Sequence, residues 1–278
     1  MDRSGEENKL PSVVNTSEKF IGGTGNTELE GDKDLHGRPV TNISLSNFRK
    51  SATGRGEGWH CDTYFLFRHV YWLFVTEYLT SNSQSITAIG EGVTTWDTTA
   101  WNNFNGRNPF IPCGTTNALG NASGKVELTL ESVSKTFYVP SYRGIENPFG
   151  HVWSWCDGIL VNSANGRNAV YVCNNPQSFA DTLNEDYKLI GYAPTATNYY
   201  KEQIPGQPIA QEGSATASAT TGMCDQFYAP SANAGIRALL FGGSAPNGTF
   251  AGLSYAYANV APSNANAYVG SRLCFLPF

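Results

Sequence analysis

The chain has 278 residues, with 18 Lys and Arg against 23 Asp and Glu for a net charge of −5. Only 15% of residues are charged while 13% are aromatic, which excludes a disordered chain; the mild acidity without clustered Lys or Arg excludes a nucleic-acid surface. A chain of this size buries roughly 75% of its unfolded surface, enough for one large domain or two small ones.

Residues 1–40 are polar and carry Glu6, Glu7, Lys9, Glu28, Glu30, Asp32, Lys33 and Asp34 without an apolar period. They read as an N-terminal arm and a candidate anchor to a partner surface, followed by one domain over 41–278. The first seven residues lack the apolar stretch of a secretory leader, so synthesis in a cytoplasm is expected. The longest apolar run, 64–79, is interrupted by Arg68, His69, Thr76 and Glu77, so no membrane insertion is expected. That run predicts a helix over 63–79, capped by Asp62 and buried on most faces, with His69 as a satisfied core histidine.

Beyond it the period shortens to two. Residues 125–130, 136–140 and 169–173 predict strands, the second ended by Pro140. Residues 214–221 are a low-complexity loop. Six cysteines (Cys61, Cys113, Cys156, Cys173, Cys224, Cys274) show no CxxC spacing, which argues against structural zinc and for buried thiols. One long buried helix, short strands and long loops together predict an α+β fold.

Two stretches are specific. The first contains Gly150-His151-Val152-Trp153-Ser154-Trp155; the second runs from Arg237 through Gly242-Gly243-Ser244 to Gly270-Ser271-Arg272-Leu273. Trp153 and Trp155, two apart, share a strand face and suit a core plug, while Gly150 and Gly158 permit tight turns. Gly242-Gly243 lets a strand leave the core, and Arg272 is expected to pair with a carboxylate or with carbonyls behind the loop. These stretches resemble the G-x-V-W-x-W and R-x-x-x-x-G-G-S … G-x-R-L signatures of the formylglycine-generating-enzyme-type C-type lectin fold. Within that group they look most like the variable proteins of diversity-generating retroelements, including phage tropism determinants. Residues 55–59, the helix and residues 82–92 look like tail or capsid-fibre proteins of phages infecting gut Bacteroides-type hosts.

The resemblance implies a C-type lectin-like fold whose variable face lies at 244–268. Residues 244–269 contain no Lys, Arg, Glu, Gln, Asp, His, Trp or Met, as expected if adenine-directed mutagenesis acts on Asn codons. The candidate ligand-binding residues are Ser244, Ala245, Asn247, Thr249, Phe250, Ser254, Tyr255, Tyr257, Asn259, Asn264, Asn266 and Tyr268. Tyrosines offer wide amphipathic contact at low entropic cost and asparagines adaptable hydrogen bonds, as in antibody paratopes. The same chemistry suits a protein receptor or a glycan.

Enzyme readings find no support in the residues. The formylglycine-generating enzymes carry a redox cysteine pair just after G-G-S, and residues 245–250 hold none. His36, His60, His69 and His151 do not form the H-x-x-x-H-x-E motif of iron-dependent relatives, and His151 reads as packing beside Trp153. Glu146-Asn147-Pro148 has the residues of a lectin calcium motif in another order. A G-x-S-x-G elbow is missing. The expectation is therefore a non-catalytic protein without metal or cofactor: a phage virion component of tail or head fibre. It would bind a bacterial surface receptor, assemble as a homo-oligomer (a trimer by likeness to fibres) and reside in the virion or, alternatively, on a bacterial cell surface. The competing expectation is a capsid or tail decoration protein with no receptor role.

Overall fold

A computed structural model describes residues 39–94, 111–130, 135–218, 225–266 and 268–276. Apart from Pro39 and Val40 the expected arm lies outside them, as does Cys224. In chain order the elements are helix α1 (Leu45–Thr53), strand β1 (Trp59–Cys61), helix α2 (Tyr64–Tyr78), β2 (Gly124–Leu130), β3 (Lys135–Tyr142) and β4 (Ile145–Glu146). Then follow β5 (Trp153–Ala164), β6 (Arg167–Val172), β7 (Lys188–Ala193), β8 (Asn198–Gln203) and β9 (Ala210–Ser214). The last are β10 (Gln226–Tyr228), β11 (Gly235–Gly242), β12 (Gly252–Val260), β13 (Val269–Gly270) and β14 (Leu273–Phe275).

With two α-helices among the described residues, the chain is mostly β, and the α+β expectation gives way to that. Nine strands form one sheet in the order β7-β6-β5-β11-β12-β10-β8-β9, with β13 beside β5. Its end strands β7 and β9 approach each other, so the sheet curls toward closure. Two small sheets, β2-β3-β4 and β1-β14, flank it. The three expected strands are β2, β3 and β6, although β3 runs past Pro140, its expected end, to Tyr142; β5 at 12 residues departs from the expectation of short strands.

Both faces of the central strands are buried. Leu239 and Phe241 of β11 join one core with Tyr64, Phe67, Ile159, Val161 and Tyr200. Ala238 and Leu240, one residue out of phase, join a second with Leu45, Phe48, Trp153, Trp155 and Leu160. This is the period-two alternation of a sheet covered on both sides. Trp153 and Trp155 do plug one core from one strand face, and the Trp155 indole donates to the Ile43 carbonyl at 3.3 Å.

Helix α2 differs from expectation in three ways. Its N-cap is Thr63, whose hydroxyl accepts from Leu66 N at 3.4 Å, not Asp62. It buries a single stripe, Tyr64, Phe67, Tyr71 and Phe74, and leaves Leu73 45% exposed. His69 is exposed rather than core, with Nδ1 2.5 Å from the Phe65 carbonyl oxygen. The apolar residues off the stripe are half-buried at the helix flanks because only one side meets a sheet. Cys61, Cys156 and Cys173 are buried as expected, whereas Cys113 and Cys274 are half-exposed.

A bulge shapes β5. Ala238 pairs with Leu160 but Leu239 with Cys156, so residues 157–159 leave the ladder with β11. Gly158 turns there with φ 79°, and a Cβ would lie 2.7 Å from the Phe179 ring and 2.9 Å from the Cys173 carbonyl. Arg49 of α1 clamps the bulge through Asp157. No helix among the described residues is long and apolar enough to cross a membrane.

Candidate functional site

The G-G-S step explains how the C-terminal segment leaves the core. Gly242 and Gly243 both have positive φ (93° and 81°), and a Cβ on Gly243 would meet Ala251 Cβ at 2.8 Å. Only glycine fits this turn. The chain then loops through residues 244–251, closed by Asn247, whose Oδ1 accepts from Ser244 N at 2.6 Å and Ser244 Oγ at 2.9 Å.

Strand β12 follows, and its period of two divides the segment. Ala256 and Ala258 pack into the first core, while Tyr255 and Tyr257 turn to the opposite side and pack with the second. β12 runs parallel to β10 with Tyr228 opposite Tyr257. Their rings stack with centroids 4.4 Å apart and an interplanar angle of 19°. Trp153 packs 4.6 Å from Tyr255 and 5.5 Å from Tyr257, in the offset and tilted arrangements aromatic rings prefer.

These rings wall a cavity of about 520 Å³, within the usual size of small-molecule sites. Ser244, Asn247, Tyr255, Tyr257, Asn259, Asn264 and Tyr268 of the expected face all line it. Among the described residues its lining contains no Asp, Glu, Lys, Arg or His. Burial pushes the Tyr257 and Tyr268 phenols upward from their ordinary values, so at neutral pH the walls offer uncharged hydroxyls and amides. Such a surface selects for shape and hydrogen bonding rather than charge.

Four expected residues are not on an exposed face. Ser244 is 2% exposed and spends its hydroxyl on Asn247, and Tyr255 is 3% exposed, acting as cavity wall with its hydroxyl 3.4 Å from Gln226 Oε1. Ala245 packs under the loop with Val93, Ile111 and Val139. Ser254 faces the opposite side of β12 and donates to Asp225 Oδ2 at 2.7 Å. Both fail as ligand contacts because they are fully buried. Thr249 and Phe250 are exposed but lie outside the cavity, with Phe250 5.8 Å from Tyr199. Asn266 is half-buried, and its carbonyl accepts from Asn42 N and Val269 N.

Sequence reasoning missed Tyr228 as a lining residue, because it sits outside the biased segment and reaches Tyr257 only through the parallel β10-β12 pairing. Arg272 takes the carbonyl option. It donates to the Glu146 carbonyl at 2.6 Å and to that of Asn147, fixing the turn before Gly150. His151 is buried packing as expected, with Nε2 accepting from Ile111 N at 3.0 Å.

Beneath β12 lies a buried carboxyl. Asp225 is 1% exposed and accepts from Ser254 N and Oγ, both at 2.7 Å. Burial, only partly offset by those bonds, pushes its pKa from 3.8 up to about 7. The folded value is the raised one, so the unfolded chain releases this proton first as pH rises. Stability therefore falls between about pH 4 and pH 7 and is flat above, by up to about 1.4 kcal/mol per pH unit from this group. Asp225→Asn should remove that slope, so a plot of its urea midpoint minus wild type's should rise from pH 4 to 7. Parallel profiles would show that Asp225 is already ionised in the fold.

No family model matches the chain, and no curated protein matches it. Among solved structures it is similar to a Major Tropism Determinant P3c variant, with 16% identity and a TM-score of 0.32 over 84% of this chain. The chain spans 37% of the length of that structure.

Proposed function

We propose that this chain is a non-catalytic receptor-binding protein of a phage virion, with a C-type lectin-like domain that presents the aromatic cavity to the bacterial surface. The observation that carries the reading is the assembly of seven of the twelve expected contact residues around one uncharged, tyrosine-walled cavity. Ser244 of the G-G-S turn and Trp153 of β5, from the two stretches on which the lectin-type resemblance rests, both line it. A rigid core beneath an Asn- and Tyr-lined opening lets side chains vary without disturbing the fold. A tail- or head-fibre position in the particle, anchoring through residues 1–40 and a trimeric assembly belong to the same proposal; a capsid or tail decoration protein with no receptor role is the competing reading. Multivalency would raise weak single-site attachment well above that of one domain.

The test is attachment to host cells. Tyr257→Ala and Asn264→Ala should each weaken attachment about tenfold or more, as loss of a central aromatic or polar contact does, while the unfolding transition stays cooperative. Attachment unchanged in both variants would refute the reading and favour a purely structural role.

A further inference from the structure

Two amides lining the aromatic cavity are oriented by the main chain around them. Asn259 Oδ1 accepts from Ser231 N at 2.9 Å, and Asn247 Oδ1 accepts from Ser244 N and Oγ. Each amide thus spends its oxygen on the fold and keeps Nδ2, with two N–H donors, unengaged among the described residues. The hydroxyls of Tyr228, Tyr257 and Tyr268 have no partner among the described residues either. All three tyrosines are half-buried and line the cavity. Fixed amide donors and adaptable hydroxyls therefore stand beside the packed rings of Tyr228, Tyr257 and Trp153.

A ligand that fits must bring acceptors to the amides and an apolar face to the rings. An ionised group would lose its hydration without return, because the described lining holds no Lys, Arg, His, Asp or Glu. A purely apolar side chain would leave the amide donors without acceptors. An extended peptide would add to a free strand edge, but β12 is already paired with β11 on one side and β10 on the other. A pyranose meets both demands. Its ring and hydroxyl oxygens accept from the amides, its hydroxyl hydrogens donate to the phenol oxygens, and its C–H face suits the negative face of an aromatic ring. The volume of about 520 Å³ lies in the range that holds a unit of that kind. Resting on the receptor-binding reading above, we infer that the aromatic cavity takes an uncharged sugar residue of a bacterial surface glycan, and not a protein receptor.

The experiment binds the purified full chain to host cells, with protein-free polysaccharide from the same cells added as competitor. Binding should fall about tenfold or more as the polysaccharide saturates, and should be lost when the cells are first oxidised with periodate, which cleaves vicinal diols. Because no charge takes part, competition should be the same at about 0.05 and 0.5 M salt. Asn259→Asp keeps the acceptor for Ser231 N but replaces the Nδ2 donor with an oxygen. Its binding should fall about tenfold or more, with the unfolding transition still cooperative. Polysaccharide that fails to compete, or binding that survives periodate, would overturn the inference. If Tyr257→Ala still weakens binding in that case, the receptor-binding reading stands and the receptor is a protein. Competition that weakens steeply with salt would overturn the inference in favour of a charged ligand. Binding at the wild-type level in both Tyr257→Ala and Asn259→Asp would overturn the inference and the receptor-binding reading together.

Discussion

Arg49→Ala is expected to cost about 3–5 kcal/mol of stability, the usual penalty for stranding one partner of a buried ion pair. Arg49 Nε donates to Asp157 Oδ2 at 2.6 Å and Nη2 to Asp157 Oδ1 at 2.9 Å, with a further bond from Nη2 to Asp181 at 3.0 Å. The Arg49 side chain is 19% exposed and that of Asp157 only 2%, so water cannot replace the guanidinium. Asp157 also accepts from Gly158 N at 3.0 Å, and its own N–H donates to the Asp62 carbonyl at 2.8 Å. The pair thus ties α1, the loop before α2 and the β5 bulge together. At about 2–4 °C per kcal/mol for a domain of this size, the melting temperature should drop by roughly 10 °C. Arg49→Ala combined with Asp157→Asn should recover a large part of the loss, because the stranded charge is gone while the acceptor for Gly158 remains. A single variant within 1 kcal/mol of wild type, by urea unfolding, would show that the pair is a solvated contact.

Gly252→Ala should be about as damaging, by about 3 kcal/mol or more, through overpacking plus disrupted buried hydrogen bonds. The Gly252 backbone is ordinary strand, so the argument is space alone. An added Cβ would overlap Asp225 Oδ1 and stand 2.5 Å from its Cγ. Asp225 cannot withdraw without giving up Ser254 N and Oγ, and the Tyr200 hydroxyl, donating to the Ser254 carbonyl at 2.7 Å, holds the same residue. Because β12 carries Tyr255 and Tyr257, the displacement should also disturb the cavity wall and weaken attachment. Asp225→Ala opens the space, so adding Gly252→Ala to it should cost far less than adding it to wild type. Equal costs in both backgrounds, measured as a double-mutant cycle, would show that the clash is relieved some other way.

Local pattern carried the parts of the fold that depend on local pattern. Residues 125–130 and 136–140 alternate because one face of the β2-β3 hairpin is covered, and the period alone reveals such strands. Helix α2 was legible in extent but not in burial. Aromatic residues all round it suggest a central helix, yet only the stripe at Tyr64, Phe67, Tyr71 and Phe74 meets a sheet. Strand β12 was hidden by its composition. Ser, Ala, Gly and Asn are poor strand formers, so the segment reads as loop even though Tyr255 and Tyr257 alternate with Ala256 and Ala258.

The same oversight explains the mixed result at the site. A loop would expose most of its residues, but a strand sends every second one inward, which is why Ser254 lies on Asp225. The joining of Tyr228 to Tyr257 depends on a parallel pairing between distant segments, and nothing in the local sequence encodes it. The signature glycines were different. Gly242 and Gly243 were recognisable because the turn permits no side chain, and the reading that a strand leaves the core there agrees with the geometry.

The most direct measurement compares host-cell attachment of particles or purified protein carrying Tyr257→Ala with those carrying Phe250→Ala. Both residues belong to the same biased segment, but Tyr257 lines the cavity and Phe250 lies outside it, 41% exposed. Attachment that falls about tenfold or more with Tyr257→Ala and holds with Phe250→Ala is the result predicted by a receptor seated in the cavity. Loss with Phe250→Ala and none with Tyr257→Ala would place the contact on the outer loop and contradict it.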